Sequence, residues 1–438
     1  MIKNLILGTL LLAGATQGWG QTTDVGVSAA AADQPMTAPP PVNAGGESVA
    51  FTSEMEKSNY VRGGLSMQGA YSDNIFSSTP AEGDATYTIS PDIGLDITRS
   101  RLRWSLSYSP GFTFYQRFSA ENQVDHVFST SLQYRLSPHV TLSLQDNLSK
   151  TPSFSGLIQP QSSAGAVAQS PGFLVVGQDI NTFVNTGSGE LTYQFAPNTM
   201  VGFGGGSYEL RYLGDAQTQG VFDSSESNAK AFYTHRFSGA HYVGVNYGFQ
   251  DMVTHPIGIE TQVQSATLFY SFYVAQKVSF SLFGGAQYAD THGGGFPSSH
   301  SSTPTEGVEV NFQGVHNSLA SNFSRTITTG GGLQSAVHAY VVDANLRHQF
   351  TPHFSAAIQL SYSNNDLLQP GSFITQTNGH TFTGGGSLQH GLGQHFSAEM
   401  GYTRTQQDYS YVAIASQSPT ADRGWIAISY QFQRPLGR

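Results

Sequence analysis

The chain has 438 residues, of which 11% are charged, 38% hydrophobic and 12% aromatic, and its formal net charge is -10. The absence of cysteine excludes a disulfide scaffold, thiolate metal sites, cysteine catalysis and a lipid-anchored N-terminal cysteine. The acidic balance excludes a nucleic-acid partner, and 49 glycines beside so few charges suggest a surface that meets something other than water.

Lys3, the apolar run from Leu5 to Ala13, and Gly18-Trp19-Gly20 ahead of Gln21 predict a cleaved secretory signal over residues 1–20. Residues 21–56 are rich in Ala, Pro, Ser and Thr around Pro39-Pro40-Pro41, which predicts a flexible periplasmic tail. No later segment approaches the roughly 18 to 20 consecutive apolar residues of a membrane helix.

From residue 57 to 433 large apolar residues alternate with small or polar ones, in segments near the length of a tilted membrane strand. Leu102, Trp104, Leu106, Tyr108, Phe112 and Phe114 share one parity, and Arg103, Ser105, Ser107, Ser109, Gly111 and Thr113 share the other. The period returns at Val243-Val245-Tyr247-Phe249, Ala266-Leu268-Tyr270-Phe272, Phe354-Ala356-Ile358-Leu360 and Ile426-Ile428-Tyr430-Phe432. Over 340–349 an apolar row from Tyr340 to Leu346 opposes Asp343, Asn345, Arg347 and Gln349. A soluble sandwich would carry Lys and Glu on its outward face, and they are scarce here. Unpaired peptide groups cost several kcal/mol each in lipid, so such a sheet must close into a barrel.

Short links such as Ser137-Pro138-His139, Ala196-Pro197-Asn198, Val315-His316-Asn317 and Thr351-Pro352-His353 alternate with long ones around 75–84, 151–179, 213–224, 291–305, 366–378 and 408–421. The expected fold is therefore all-β: a transmembrane, antiparallel, up-and-down barrel of about 18 strands, with 16 as the alternative, both termini periplasmic, and 434–438 a short tail. At that width the lumen holds water unless a loop plugs it, and the apolar residues Leu157, Ile158, Phe173 and Leu174 make 151–179 a candidate constriction.

The first strand ends in Gly69-Ala70-Tyr71-Ser72-Asp73-Asn74-Ile75-Phe76, with Tyr71, Asp73, Asn74 and Phe76 in a pattern that resembles the signature of the β-barrel porin 2 family. Leu132 to Lys150 and Phe323 to Ser363, with Gly330-Gly331-Gly332-Leu333, are similar to that family as well. The resemblance implies a role beside exopolysaccharide secretion, with a polysaccharide export apparatus as a partner. One departure is the C-terminus, where Phe432 is followed by six more residues instead of ending the chain for the barrel assembly machinery.

Signs of catalysis are few. His292-Gly293-Gly294-Gly295 looks like an oxyanion motif, but there is no G-x-S-x-G elbow and no H-E-x-x-H, so neither enzyme nor cofactor is expected. Gly202 to Gly206 lies in a strand pattern, where glycine permits close backbone approach. His139, His241, His316, His353 and His395 sit by short turns and predict an amphipathic rim; a pH-responsive rim is the sharper alternative. Parity assigns Asp92, Asp96, Arg103, Arg135, Glu209, Arg211, Asp343, Arg347 and Glu399 to the lumen, as wall ion pairs or as a selective constriction. Tyr60, Tyr71, Tyr115, Tyr212, Tyr402 and Trp425 are expected in interfacial girdles. Together these features predict a channel in outer-membrane lipid; a plugged structural or adhesive barrel is the alternative, and a membrane-embedded hydrolase ranks lower.

Overall fold

The computed structural model describes residues 58–76, 80–152, 181–213, 221–275, 277–295, 297–368, 378–409 and 420–436. The chain divides into two units, 1–34 and 35–438, and every described residue belongs to the second. The signal, the tail and the candidate constriction from residue 153 to 179 lie outside the described residues.

The strands are β1 Ser58–Ser72, β2 Asp84–Thr98, β3 Leu102–Tyr115, β4 Gln123–Ser137, β5 Val140–Pro152, β6 Asn181–Ala196, β7 Thr199–Tyr212, β8 Asp223–Arg236, β9 His241–His255, β10 Ile259–Ala275, β11 Val278–Gly293, β12 Ser299–Gln313, β13 Asn317–Thr328, β14 Val337–Thr351, β15 Phe354–Leu367, β16 Asn378–Gly391, β17 Phe396–Tyr409 and β18 Thr420–Pro435. They form one 18-stranded antiparallel sheet in sequence order, closed by pairing of β1 with β18. Followed once round the sheet, the Cα partners return to β1 about 22 residues from their start, a stagger that tilts the strands roughly 40° and sets a wall radius of ~18 Å. Side chains cannot fill that width. The short links and both described chain ends lie at one end of the barrel, here the terminal end, and the strand ends that the long links join lie at the other, the distal end.

Two links depart from the sequence expectation. The stretch around 291–305 is mostly strand, with β11 running to Gly293 and β12 starting at Ser299. The motif-like Gly293, Gly294 and Gly295 have φ of 93°, 63° and 76°, so they turn a hairpin that other residues would strain. At the other end of the chain, β18 continues to Pro435, which pairs with Tyr60.

Alternation places the apolar rows outside. Leu65, Met67, Val245, Leu268, Ile426 and Ile428 are exposed, whereas Thr86, Thr113, Asn246, Thr305, Thr383 and Thr405 are buried on the inward parity. Aromatic rings bound the exposed rows at both ends. Near the terminal end His241 stacks on Tyr270 and Phe272 and shares a 2.6 Å hydrogen bond with the Tyr270 hydroxyl, and His348 meets Phe350 edge-on at 4.3 Å. Near the distal end the Tyr288 hydroxyl meets His300, itself 3.2 Å from Asp290, and the Tyr402 hydroxyl donates to Asp422. On β11 the two belts stand at Phe280 and Tyr288, about eight residues apart, which at this tilt is roughly 20 Å and close to a bilayer's apolar thickness.

Close approach explains the glycine run in β7. A Cβ at Gly202 would stand 2.2 Å from the Phe232 ring that lies over it, and one at Gly204 would stand 2.8 Å from Lys230 Cε. Lys230 crosses β7 through that gap and reaches Glu190 on β6.

The motif at the end of β1 fastens the seam where the barrel closes. Asp73 N–H donates to Asp422 O at 3.1 Å, Asp422 N–H donates to Asp73 Oδ1 at 2.8 Å, and Asn74 Nδ2 donates to Thr420 O at 3.0 Å. Asn74 is buried, so its amide would be costly to leave without this carbonyl partner. Tyr71 points outward, and Phe76 packs edge-on against Phe118.

Candidate functional site

The lumen wall divides into a charged terminal half and a packed distal mouth. Asp92, Asp96, Arg103, Arg135, Asp343, Arg347 and Glu399 lie on inward parities. Arg62, which sequence reading passed over, also faces inward, and its Nε stands 2.5 Å from Asp96 Oδ2. Arg347 donates to Ser355 and to Gln389, each at 3.4 Å, and it is the cationic neighbour of Glu399, whose hydrogen-bond partner is Ser387. Asp343 accepts a 2.7 Å bond from Ser361. A second missed pair, Lys230 and Glu190, is 2.6 Å apart. Charges of both signs are thus interleaved round the wall, with Arg62, Asp92, Asp96, Arg103 and Arg135 on β1 to β4, Asp343 and Arg347 on β14, and Glu399 on β17. Charges of both signs set across a wet passage act on a permeating ion more strongly than the same charges on an open surface.

Glu209 and Arg211 are corrections. They pair with each other on the outward face, sharing the parity of the exposed Phe203, while Leu210 and Tyr212 point inward. The glycine run breaks the apolar alternation of β7, and beyond it the apolar parity turns inward to pack under a loop. Four expected girdle residues also face inward: Tyr60, Tyr115, Tyr212 and Trp425. Tyr71 and Tyr402 face outward.

That loop is the feature the sequence concealed. The β12–β13 ladder ends at Glu306↔Arg325, whereas β11 and β12 stay paired to Thr291↔Ser299. The last residues of β13 are therefore free of β12 and tuck inward, where Gln287 on β11 bonds Thr326 Oγ1 and Ile327 N, each at 3.1 Å. The chain then crosses the distal mouth. Leu333 inserts among Val184, Leu210, Tyr212, Val221 and the inward Val337, Ala339 and Val341, a burial worth about 1.5–3 kcal/mol. Tyr212 donates its hydroxyl to Gly331 O at 2.8 Å, and Phe222 N–H donates to Gly332 O at 3.0 Å. A second apolar group, Met252, Val263, Ala289, Ile327 and Ala336, continues this packing over β9 to β11. Gly332 has φ 110°, and a Cβ there would stand 2.3 Å from the Tyr212 hydroxyl. Glycine is required on both counts.

Among the described residues no group of three or more His, Asp or Glu is placed to hold a metal ion.

No protein-family model matches the chain, and no curated protein matches it. Solved structures do. OccK2 (OpdF) of Pseudomonas aeruginosa is 11% identical, with a TM-score of 0.44, over 86% of this chain and 98% of that one. OccAB4 of Acinetobacter baumannii is 10% identical, with a TM-score of 0.43, over 85% and 98%. The outer membrane protein opdK of Pseudomonas aeruginosa is 10% identical, with a TM-score of 0.42, over 85% and 99%.

Proposed function

We propose that the chain is a bacterial outer-membrane channel, exported by residues 1–20 and placed by the barrel assembly machinery with both termini in the periplasm. The observation that carries this reading is the pairing of surfaces on one closed wall: an apolar outside bounded by two aromatic belts, and a charged inside in the terminal half. The distal mouth, folded over by residues 329–336, would face the exterior. The role beside exopolysaccharide export rests on the resemblance at Tyr71, Asp73, Asn74 and Phe76, of which Asp73 and Asn74 fasten the barrel seam. A structural or adhesive barrel is the second reading, favoured by the packing across the distal mouth.

Arg103→Ala and Arg347→Ala test the reading at the lumen wall. In a salt gradient across a planar bilayer each variant should shift the reversal potential toward cations, changing the permeability ratio by roughly twofold. Unchanged reversal potentials in both variants would reject selection by these charges.

A further inference from the structure

Between the two belts the apolar outward face is interrupted twice, at the exposed Glu306 of β12, which stands opposite Gly284 and is the cross-strand partner of Arg325, and over a wider sector on β5 to β8. Along β5 the outward row reads Val140, Leu142, Leu144, Asp146, Leu148, which puts a carboxylate in the middle of the apolar band. Asp146 Oδ1 accepts a 3.1 Å hydrogen bond from Asn185 Nδ2, also outward, on β6. Beside them the cross-strand rows are small: Asp146↔Gly187, Gly187↔Ser207 and Ser207↔Ser227 in one, Gly189↔Gly205 and Gly205↔Ala229 in the next. A Cβ at Gly187 would meet Asp146 Oδ1 at 3.3 Å and Ser207 Oγ at 3.5 Å, so the glycine leaves the carboxylate open to whatever covers the wall. The far side of the barrel presents Leu360, Met400, Ile426 and Ile428 to its surroundings.

A lipid tail offers this sector neither volume complementarity nor a donor, and a carboxylate facing hydrocarbon is costly unless it is paired or screened. A protein surface removes that cost. The shape identifies which protein. On the edge of the hollow stands Phe203, 63% exposed, which pairs with Leu191 two residues from Gly189. A two-fold axis along the membrane normal brings equal depths of two copies together, so each Phe203 meets the other copy at the depth of Gly189, where the Leu144 side chain forms the rim of the hollow. Knob and hole on one patch are the self-complementarity that a closed, isologous dimer requires.

We propose that the outward face of β5 to β8 is the interface with a second copy of this chain, with Phe203 as the knob, Gly187, Gly189 and Gly205 as the hole, and Asp146 and Asn185 as the polar contact it covers. This goes beyond the channel reading and does not need the lumen to conduct.

The chain has no cysteine, so introduced thiols report proximity without background. Phe203→Cys and Gly189→Cys chains carrying different tags would be co-expressed, and membranes oxidised. The expected result is about tenfold more disulfide-linked heterodimer than from Ile428→Cys with Gly189→Cys, because a disulfide forms only where Cα atoms approach within about 7 Å. Sedimentation in detergent should give a dimer for the unmodified protein and a monomer for Phe203→Ala, with heat-modifiable gel mobility confirming folded barrels. Equal cross-linking from Cys at 203 and at 428, or a monomer for the unmodified protein, would overturn the proposal. Conductance per barrel should be the same for Phe203→Ala, which separates failure of the interface from failure of the channel reading.

Discussion

Replacing Gly332 with valine should raise single-channel conductance about twofold or more, because the substitution expels residues 329–336 from the distal mouth. The side chain would require a φ of 110° that valine rarely adopts and would place its Cβ 2.3 Å from the Tyr212 hydroxyl. Backbone strain alone costs about 1–3 kcal/mol, similar to the burial of Leu333 that holds the loop inward. The inward state then loses its advantage, and the bond from Tyr212 to Gly331 goes with it. Planar-bilayer recordings check this, and Leu333→Asp should act in the same direction by making burial unfavourable. Unchanged conductance in both variants would mean that the loop does not limit the pore.

The second large effect is on stability. Lys230→Met should destabilise the barrel by about 3–5 kcal/mol, since Glu190 would keep its charge without a partner. The side chains of Lys230 and Glu190 are 21% and 11% exposed, and they meet at 2.6 Å. Glu190 Oε1 is buried with no hydrogen-bond partner among the described residues, so little offsets the loss of that contact. Urea unfolding in micelles should show the midpoint fall, and adding Glu190→Gln should restore most of it by removing the stranded charge. A loss under about 1 kcal/mol in the single variant would place the pair among solvated surface bridges.

The barrel was legible because its determinant is a period. Rows such as Ile426-Ile428-Tyr430-Phe432 fix which face meets apolar surroundings, and links such as Thr351-Pro352-His353 fix the direction changes. The same rule would have turned Trp425 inward; its place near a strand end was the misleading cue, and the ring lies against Gly401 inside the wall. Arg62, Glu190 and Lys230 were likewise readable by parity. Glu209 and Arg211 were not, because Gly202 to Gly206 carries no alternation and the apolar residues after it point inward to meet the loop.

Composition misled where it was taken for structure. The Ser/Thr/Pro-rich stretch after His300 looks like a loop, yet small hydroxyl side chains fit a pleated sheet. Pro304 is tolerated because it lies beyond the last β12–β13 pair, on an edge where its missing N–H is not needed. The inward loop left one trace in the sequence. Val337, Ala339 and Val341 stand on the same parity as Asp343 and Arg347, an apolar start to an otherwise charged inner row. Which wall Leu333 would reach depends on residues more than a hundred positions away on β6 and β7, and no local pattern encodes that distance.

The most direct test of the channel reading is single-channel recording from residues 21–438 refolded into a planar bilayer, with neutral oligosaccharides of increasing length added on one side. A ~18 Å wall radius with a partly covered mouth predicts stable unitary steps that sugars block up to a cut-off length. The absence of steps from protein whose heat-modifiable mobility shows a folded barrel would contradict it and favour the structural barrel with a closed lumen.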